Sequence, residues 1–291
     1  MESMKRPGMM LVDGMALLFR AFYATGMHGQ FMYNSKGIPT NAVQGFLKHL
    51  LLAVKNFGPE HVAVCWDMAS KTFRTEMYAE YKSNRSKPPE EMLPQFDLAK
   101  EAVSAFNIPN IELAGFEADD CIGTMARMFS SEHDIHILTG DQDFLQLIDG
   151  QISVILLKKG YGNYDVHNES SFYGWKGITP KQMVDLKALM GDSADNYPGV
   201  KGIGEKTAIK LLQQYHSIEG ILENIDHLTA GQKKKIAESL DMLHLSRQLA
   251  AIKCDIPLSC SLEDTVYGID RNKVINMLKE HEFKTLYGEF L

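Results

Sequence analysis

Short apolar runs closing on an aspartate alternate, through the first half of the chain, with longer stretches whose apolar residues recur at helical spacing. Met9–Val12 leads into Asp13, His61–Trp66 into Asp67, and Ile135–Leu138 ends near Asp141, while Ile152–Leu157 is a fourth run with no acid at its end. Such runs, bounded by polar residues, read as buried strands. Between them Ala42, Val43, Phe46, Leu47, Leu50, Leu51 and Val54 fall three and four positions apart. Phe96, Ala99, Val103 and Phe106 do the same, as do Ile122, Met125, Ala126 and Phe129, so each set predicts a helix. Alternation of this kind predicts an α/β fold with a mostly parallel sheet. Ligands of such sheets sit beyond the carboxyl ends of the strands, where Asp13, Asp67 and Asp141 fall.

Beyond about Trp175 the pattern turns helical throughout. Pro180–Met190 forms one expected helix, stopped by Gly191, and Glu205–Tyr215 another; further helices are expected through Gln232–Leu249 and Arg271–Glu282. The expected division is therefore 1–175 for the α/β core and 176–291 for a helical region. Ser83-Asn84-Arg85-Ser86-Lys87-Pro88-Pro89 is a basic, breaker-rich segment set between sheet elements and expected to move without substrate.

Three acidic clusters carry the candidate chemistry: Gly115-Phe116-Glu117-Ala118-Asp119-Asp120, Thr139-Gly140-Asp141-Gln142-Asp143 and Gly191-Asp192-Ser193-Ala194-Asp195. With Asp13 and Asp67 they supply nine candidate ligands. Taken singly, an acid at a helix start serves the helix dipole and needs no ligand. Delivered together to strand ends, acids repel one another unless hard cations lie between them. No His or Cys accompanies them, which favours magnesium or manganese over zinc. Two such ions suit phosphodiester hydrolysis, and surplus acids can orient bound water.

The third cluster precedes Pro198-Gly199-Val200-Lys201-Gly202-Ile203-Gly204-Glu205-Lys206-Thr207-Ala208. Glycines here allow a tight turn and close backbone approach. The following helix start offers free N–H groups to a phosphate, with Lys206 adding charge. A plain helix–turn–helix connector is the alternative reading. With no strand before it, the segment is not a dinucleotide fingerprint.

Composition changes the picture little. The chain has 291 residues, 45% hydrophobic and 23% charged, enough for one large domain or two intimate ones. Its net charge of −7 is opposite to that of a typical nucleic-acid binder, but Lys71, Arg74, Lys82, Arg85 and Lys87 face only Glu76 and Glu80 within one short segment. No apolar stretch reaches about 18 residues, so no membrane span is expected. The first residues make a poor signal peptide, and a cytoplasmic location is the default expectation. Cys65, Cys121, Cys254 and Cys260 show no zinc spacing and are expected as reduced thiols.

In this order, the motifs resemble the bacterial and phage 5′ nuclease (flap endonuclease) family, in particular the 5′→3′ exonuclease domain at the start of bacterial DNA polymerase I. The likeness runs from Leu11-Val12-Asp13-Gly14 to the closing Glu282–Leu291. Its most specific parts are Gly115–Asp120, Leu138–Asp143, Gly191–Ala208 and Tyr81-Lys82-Ser83-Asn84-Arg85. It implies a PIN-like nuclease core, a helical arch at about 70–95 and a helix–three-turn–helix DNA-binding region. By position it implies one metal site from Glu117, Asp119, Asp120 and Asp141 with Asp13 and Asp67 beside them, and a second from Asp143, Asp192 and Asp195. Lys82 and Arg85 match a basic pair that contacts the scissile phosphate. Tyr23 and Tyr81 become candidates for stacking on nucleotides. A potassium ion is implied on the backbone carbonyls of Leu189, Met190, Pro198, Val200 and Ile203.

The expected function is a divalent-metal-dependent 5′ nuclease acting on DNA with a 5′ end or flap at a duplex junction, in replication and repair. Lys71, Arg74, Tyr81, Lys82 and Arg85 would guide the single strand, and Gly202, Gly204, Lys206 and Thr207 would grip duplex phosphates. Manganese would substitute for magnesium, and the protein would act as a monomer and as a stand-alone nuclease. Three other readings stay open: a PIN-type ribonuclease, a non-catalytic DNA-structure-binding protein and, more distantly, a small-molecule phosphatase.

Overall fold

The computed structural model describes residues 6–26 and 29–290. The first five residues and Leu291 of the closing motif lie outside them. The expected strands form as β1 (Gly8–Asp13), β2 (His61–Cys65), β4 (Asp134–Thr139) and β5 (Ile152–Leu157). Two further strands were not expected: the two-residue β3 (Asn110–Ile111) and the edge strand β6 (Tyr164–His167), each too short or too polar to give a period. The sheet order is β3-β2-β1-β4-β5-β6. Every neighbouring pair is parallel except β5 and β6. Chain direction reverses its progress across the sheet between β1 and β4, and the crevice at that switch opens beyond Asp13 and Thr139.

Alternate residues of each strand serve opposite faces. Met10, Val12, Val62, Val64, Leu138 and Ile155 pack under α1 (Gly14–Thr25), α2 (Asn41–Phe57) and α4 (Leu93–Ala105). Met9, Leu11, Ala63, Cys65, Ile135 and Val154 pack against α5 (Ala118–Phe129) and onward into the helical half. That half runs through α6 (Glu169–Lys176), α7 (Gln182–Met190), α8 (Glu205–Tyr215), α9 (Ile218–Glu223), α10 (Ala230–Glu238) and α11 (Leu240–Ala250). Leu186, Leu189, Leu211 and Leu243 belong to the same apolar cluster as Met9 and Leu11. The two halves thus share one core.

Three expectations need correction. The helix expected over Gln232–Leu249 is two, broken at Ser239, which ends α10 and begins the next helix. The closing helices, α12 (Arg271–Glu280) and α13 (Lys284–Phe290), do not extend the helical half: Val274, Met277, Leu278, Phe283 and Leu286 return to the core beneath α2 and α4. Within 70–95 helix is confined to α3 (Phe73–Met77), a 3₁₀ turn at Glu90–Met92 and the start of α4. Turns and extended chain lie between them because Pro88 and Pro89 lack amide donors and the preceding Ser and Asn residues favour turns.

All four cysteines are free, Cys65 and Cys121 being buried. Among the described residues no helix is long and apolar enough to cross a membrane.

Candidate active site

Asp13 ends β1 and caps α1, its carboxylate accepting from the Ala16 amide at 2.9 Å and from the Thr139 hydroxyl at 2.7 Å. Asp67 follows β2 and accepts from the Ala118 amide at 2.7 Å, which ties it to the start of α5. Asp141 follows β4 and accepts from the Asp143 amide at 2.9 Å. Strand ends and helix starts thus fix these acids by the ordinary need to cap orphan amides.

A cavity of about 600 Å³ gathers Asp13, Asp67, Asp119, Asp141, Asp143, Asp192 and Asp195 with Arg20, Lys82, Arg85 and Lys187. Burial raises Asp13 to about 7, with Asp67 and Asp141 adding repulsion that its hydrogen bonds to Ala16 and Thr139 only partly offset. Burial likewise raises Asp143 to about 7, Asp141 and Asp192 adding to it while Lys187 opposes. Asp119 is pushed well above the usual carboxylate range by burial and by Asp13, Asp141 and Asp67, against the pull of Lys82. An all-oxygen donor set whose members resist ionising together is what hard divalent cations relieve. The residues therefore fit magnesium or manganese.

Not every expected acid lines this cavity. Asp120 is fully buried on the far side of the α5 start, where Arg74 holds both its oxygens at 2.8 Å and the Lys253 amide donates at 2.9 Å. With those lone pairs engaged it is a counter-ion and not a ligand, a correction to the metal set. Glu117 lies between the two environments: Lys82 reaches one oxygen at 2.9 Å, while Arg74 at 3.0 Å and the Tyr81 hydroxyl at 3.2 Å hold the other.

Two expected DNA contacts are corrected as well. Arg74 is only 2% exposed and saturated by internal acceptors, so it has no charge to offer a strand. Tyr81 is 5% exposed, its ring against Tyr197 and its hydroxyl on Glu117 and Asp195, so no face is free for a base. Helix α3 is too short to show in sequence which of its faces turns inward. Tyr23, by contrast, is 61% exposed one turn beyond Phe19, which lines the cavity. Lys71 is exposed.

Lys82 and Arg85 line the cavity. Lys82 takes a left-handed backbone conformation (φ 55°), with its ammonium on Glu117 and its amide donating to the Asp195 carbonyl at 2.9 Å. Arg85 pairs with Asp195. Asn84 donates to the Ser193 carbonyl and Asn196 to the Glu80 carbonyl, each at 2.8 Å. This stitching joins the basic segment to the approach of the glycine hairpin.

Lys187 was missed by sequence reasoning. It bridges Asp143 at 2.6 Å and Asp192. Its signal was a lysine inside the apolar pattern Met183, Leu186, Leu189, five residues before Asp192. Arg20 was missed too; it lines the cavity and donates to the Leu157 and Lys158 carbonyls.

The hairpin closes as a tight backbone device. Gly191 (φ 74°) and Gly199 (φ 60°) nest against each other, so that a Cβ on Gly199 would lie 2.3 Å from the Gly191 nitrogen. The Leu189 carbonyl accepts from Val200 at 2.9 Å, and the Val200 carbonyl accepts from Ile203 at 3.0 Å. Pro198 carries the carbonyl that a Cβ on Gly191 would strike, and Met190 is the last residue of α7. Gly202 (φ 81°) forms the apex, and Gly204 caps α8 with no side chain to engage its first amides. Lys206 is exposed and Thr207 half-buried on that first turn.

Comparison with known proteins agrees with this architecture. Residues 8–174 match the family described as 5′-3′ exonuclease, N-terminal resolvase-like domain, and residues 178–273 match 5′-3′ exonuclease, C-terminal SAM fold. The chain is 55% identical to a 5′-3′ exonuclease of Bacillus subtilis over 95% of its length and 93% of the relative's. It is 40% identical to DNA polymerase I of Bacillus caldotenax over 95% of its own length but only 32% of that protein's, so it spans about a third of that polymerase. The fold is shared with zinc-bound T5 5′-exonuclease (TM-score 0.69, 20% identity, 97% of this chain and 96% of that one). It is shared also with the catalytic core of Rad2 in complex with DNA substrate (TM-score 0.61, 16% identity, 95% and 88%). An aspartate-lined crevice at the sheet's switch point, joined to a glycine hairpin in a helical half and matched along both halves, makes this chain a member of the 5′-3′ exonuclease family.

Proposed function

We propose that this nuclease cleaves DNA at a 5′ end or 5′ flap next to a duplex, using two divalent ions held in the aspartate cavity. The observation that carries the reading is the convergence of seven carboxylates from separate chain regions beside Lys82, Arg85 and Lys187. Asp13, Asp67, Asp119 and Asp141, with the Glu117 oxygen now paired with Lys82, would hold one ion, and Asp143, Asp192 and Asp195 the other. Magnesium, with manganese as substitute, would supply the electrophilic and water-activating chemistry of an in-line displacement at phosphorus.

The chain's own groups do the rest. The bare helix start at Gly204, with Lys206 and Thr207, binds a duplex phosphate and fixes register without reading bases. The backbone carbonyls of Leu189, Met190, Pro198, Val200 and Ile203 would hold a potassium ion, whose positive charge would favour a phosphate at the hairpin. Lys71 and Tyr23 flank the single strand. Lys82 and Arg85 donate to the scissile phosphoryl oxygens, where negative charge builds. Because Lys82 and Asn84 are bonded to the loop before the hairpin, duplex binding and phosphate positioning are parts of one rigid unit. Residues 1–175 carry most of the chemistry, joined by Lys187, Asp192 and Asp195 from 176–291, which otherwise supplies the grip, in a monomer acting in the cytoplasm.

A 5′-labelled DNA flap, incubated with and without Mg²⁺ beside a matched RNA flap, tests this. Metal-dependent release from DNA but not RNA supports it; RNA-selective cleavage would turn the assignment to a ribonuclease, and metal-independent cleavage would remove the two-ion site.

A further inference from the structure

Arg74 uses every donor it has. Its Nε donates to the Leu249 carbonyl at 3.0 Å, Nη1 to Glu117 at 3.0 Å and Asp120 at 2.8 Å, and Nη2 to Asp120 at 2.8 Å and the Ala251 carbonyl at 2.7 Å. A guanidinium carries five N–H groups, so the set is complete. The contact joins three places: the acids come from the start of α5, the carbonyls from the end of α11 and the residue after it, and Arg74 from the base of the basic segment. Cations suit the exposed carbonyls of a helix end, and a planar fork suits a carboxylate. Asp120 is satisfied by this fork and by the Lys253 and Glu117 amides, and it also closes the capping box of α5.

The consequence falls on Glu117. Its Oε2 is held by Arg74 and Tyr81, so Oε1 is the oxygen turned toward Lys82, which itself lines the cavity. Without Arg74 the carboxylate could rotate, and the α5 start, which also anchors Asp67 through Ala118, would lose its link through Arg74 to the Leu249 and Ala251 carbonyls, keeping the bond from the Lys253 amide to Asp120.

We infer that Arg74 is a positioning residue: touching neither DNA nor metal, it orients Glu117 and locks the metal-holding end of α5 to the last helix of the DNA-gripping half. This rests on the two-ion reading above. Metal affinity should therefore depend on a residue buried away from the cavity.

The experiment compares wild type, Arg74→Lys, Arg74→Met and the double variant Arg74→Met/Asp120→Asn. Mn²⁺ binding is measured by calorimetry, cleavage of the 5′-labelled flap across a Mg²⁺ titration, and thermal stability in parallel. Arg74→Met is expected to weaken Mn²⁺ binding and raise the half-saturating Mg²⁺ by roughly 10-fold, about the effect of losing a group that orients a ligand. Arg74→Lys should recover only part, since one ammonium cannot serve two acids and two carbonyls. The double variant, which no longer strands a buried acid, should regain stability but not metal affinity. Wild-type Mn²⁺ binding in the double variant would overturn the inference and leave Arg74 a purely structural ion pair, as would wild-type binding in a folded Arg74→Met. If wild type itself bound no Mn²⁺, the two-ion reading would fail instead.

Discussion

The Lys82 amide donates to the Asp195 carbonyl at 2.9 Å, and the Lys82 ammonium lies 3.9 Å from the Asp195 carboxylate. One residue of the basic segment is thus tied to the loop that leads into the glycine hairpin by a backbone hydrogen bond and a longer ion pair. Lys82 holds a left-handed conformation that a non-glycine residue adopts at some cost. The ammonium of the same residue lines the cavity and donates to Glu117 at 2.9 Å.

Lys82→Met should accordingly lower the single-turnover rate by roughly 10²-fold, the effect of removing one donor to a developing charge. DNA affinity, measured in Ca²⁺, should change far less. An unaltered single-turnover rate would exclude Lys82 from the chemistry.

Gly199→Ala puts a methyl group 2.3 Å from the Gly191 nitrogen at a backbone angle of φ 60°. The hairpin must open to admit it. Duplex affinity by fluorescence anisotropy should fall about 10-fold, equivalent to about 1.4 kcal/mol, while far-UV circular dichroism stays close to wild type. Undiminished affinity would mean that the hairpin does not grip DNA.

Asp141→Asn removes a carboxylate that Asp13, Asp119 and Asp143 all feel. Mn²⁺ at about 100 times its dissociation constant stabilises a single-site protein by about 2.7 kcal/mol. The corresponding rise in Tm should be present in wild type and mostly lost in the variant, together with cleavage. A variant that kept the full Mn²⁺ response would take Asp141 out of the ion site.

His49 gives a pH prediction away from the cavity. Burial, then Arg20 and Lys48, lower it to about 4 from an ordinary 6.5, and its ring lies 4.4 Å from that of Tyr161. The unfolded chain takes up the proton first as pH falls, so the stability His49 contributes is complete above pH 6.5 and is lost down to pH 4. The loss should be on the order of 1–3 kcal/mol. His49→Gln should flatten that part of the Tm–pH curve, and an unchanged slope would assign it to other groups.

Much of the site was legible because it is local. Strand ends and helix starts are set by period and by capping chemistry, so Asp13, Asp67, Asp119 and Asp141 could be placed at one rim before any contact was known. Lys187 was less legible: a lysine inside an apolar helix pattern is a mild anomaly until Asp143 and Asp192 are brought to it. Position in a motif did not reveal side-chain direction, and Asp119 and Asp120 diverge, one into the cavity and the other onto Arg74.

By itself, then, the sequence determined the parallel sheet, the acids at its rim and the glycine hairpin, since periodicity, capping and positive-φ turns act over a few residues. Only tertiary structure decided that Arg74 and Tyr81 face inward and that the last two helices return to the sheet. Those outcomes turn on which distant surface each group meets. A five-residue helix between turns has no period to announce its buried side, and an arginine looks the same in sequence whether its partner is a phosphate or Asp120.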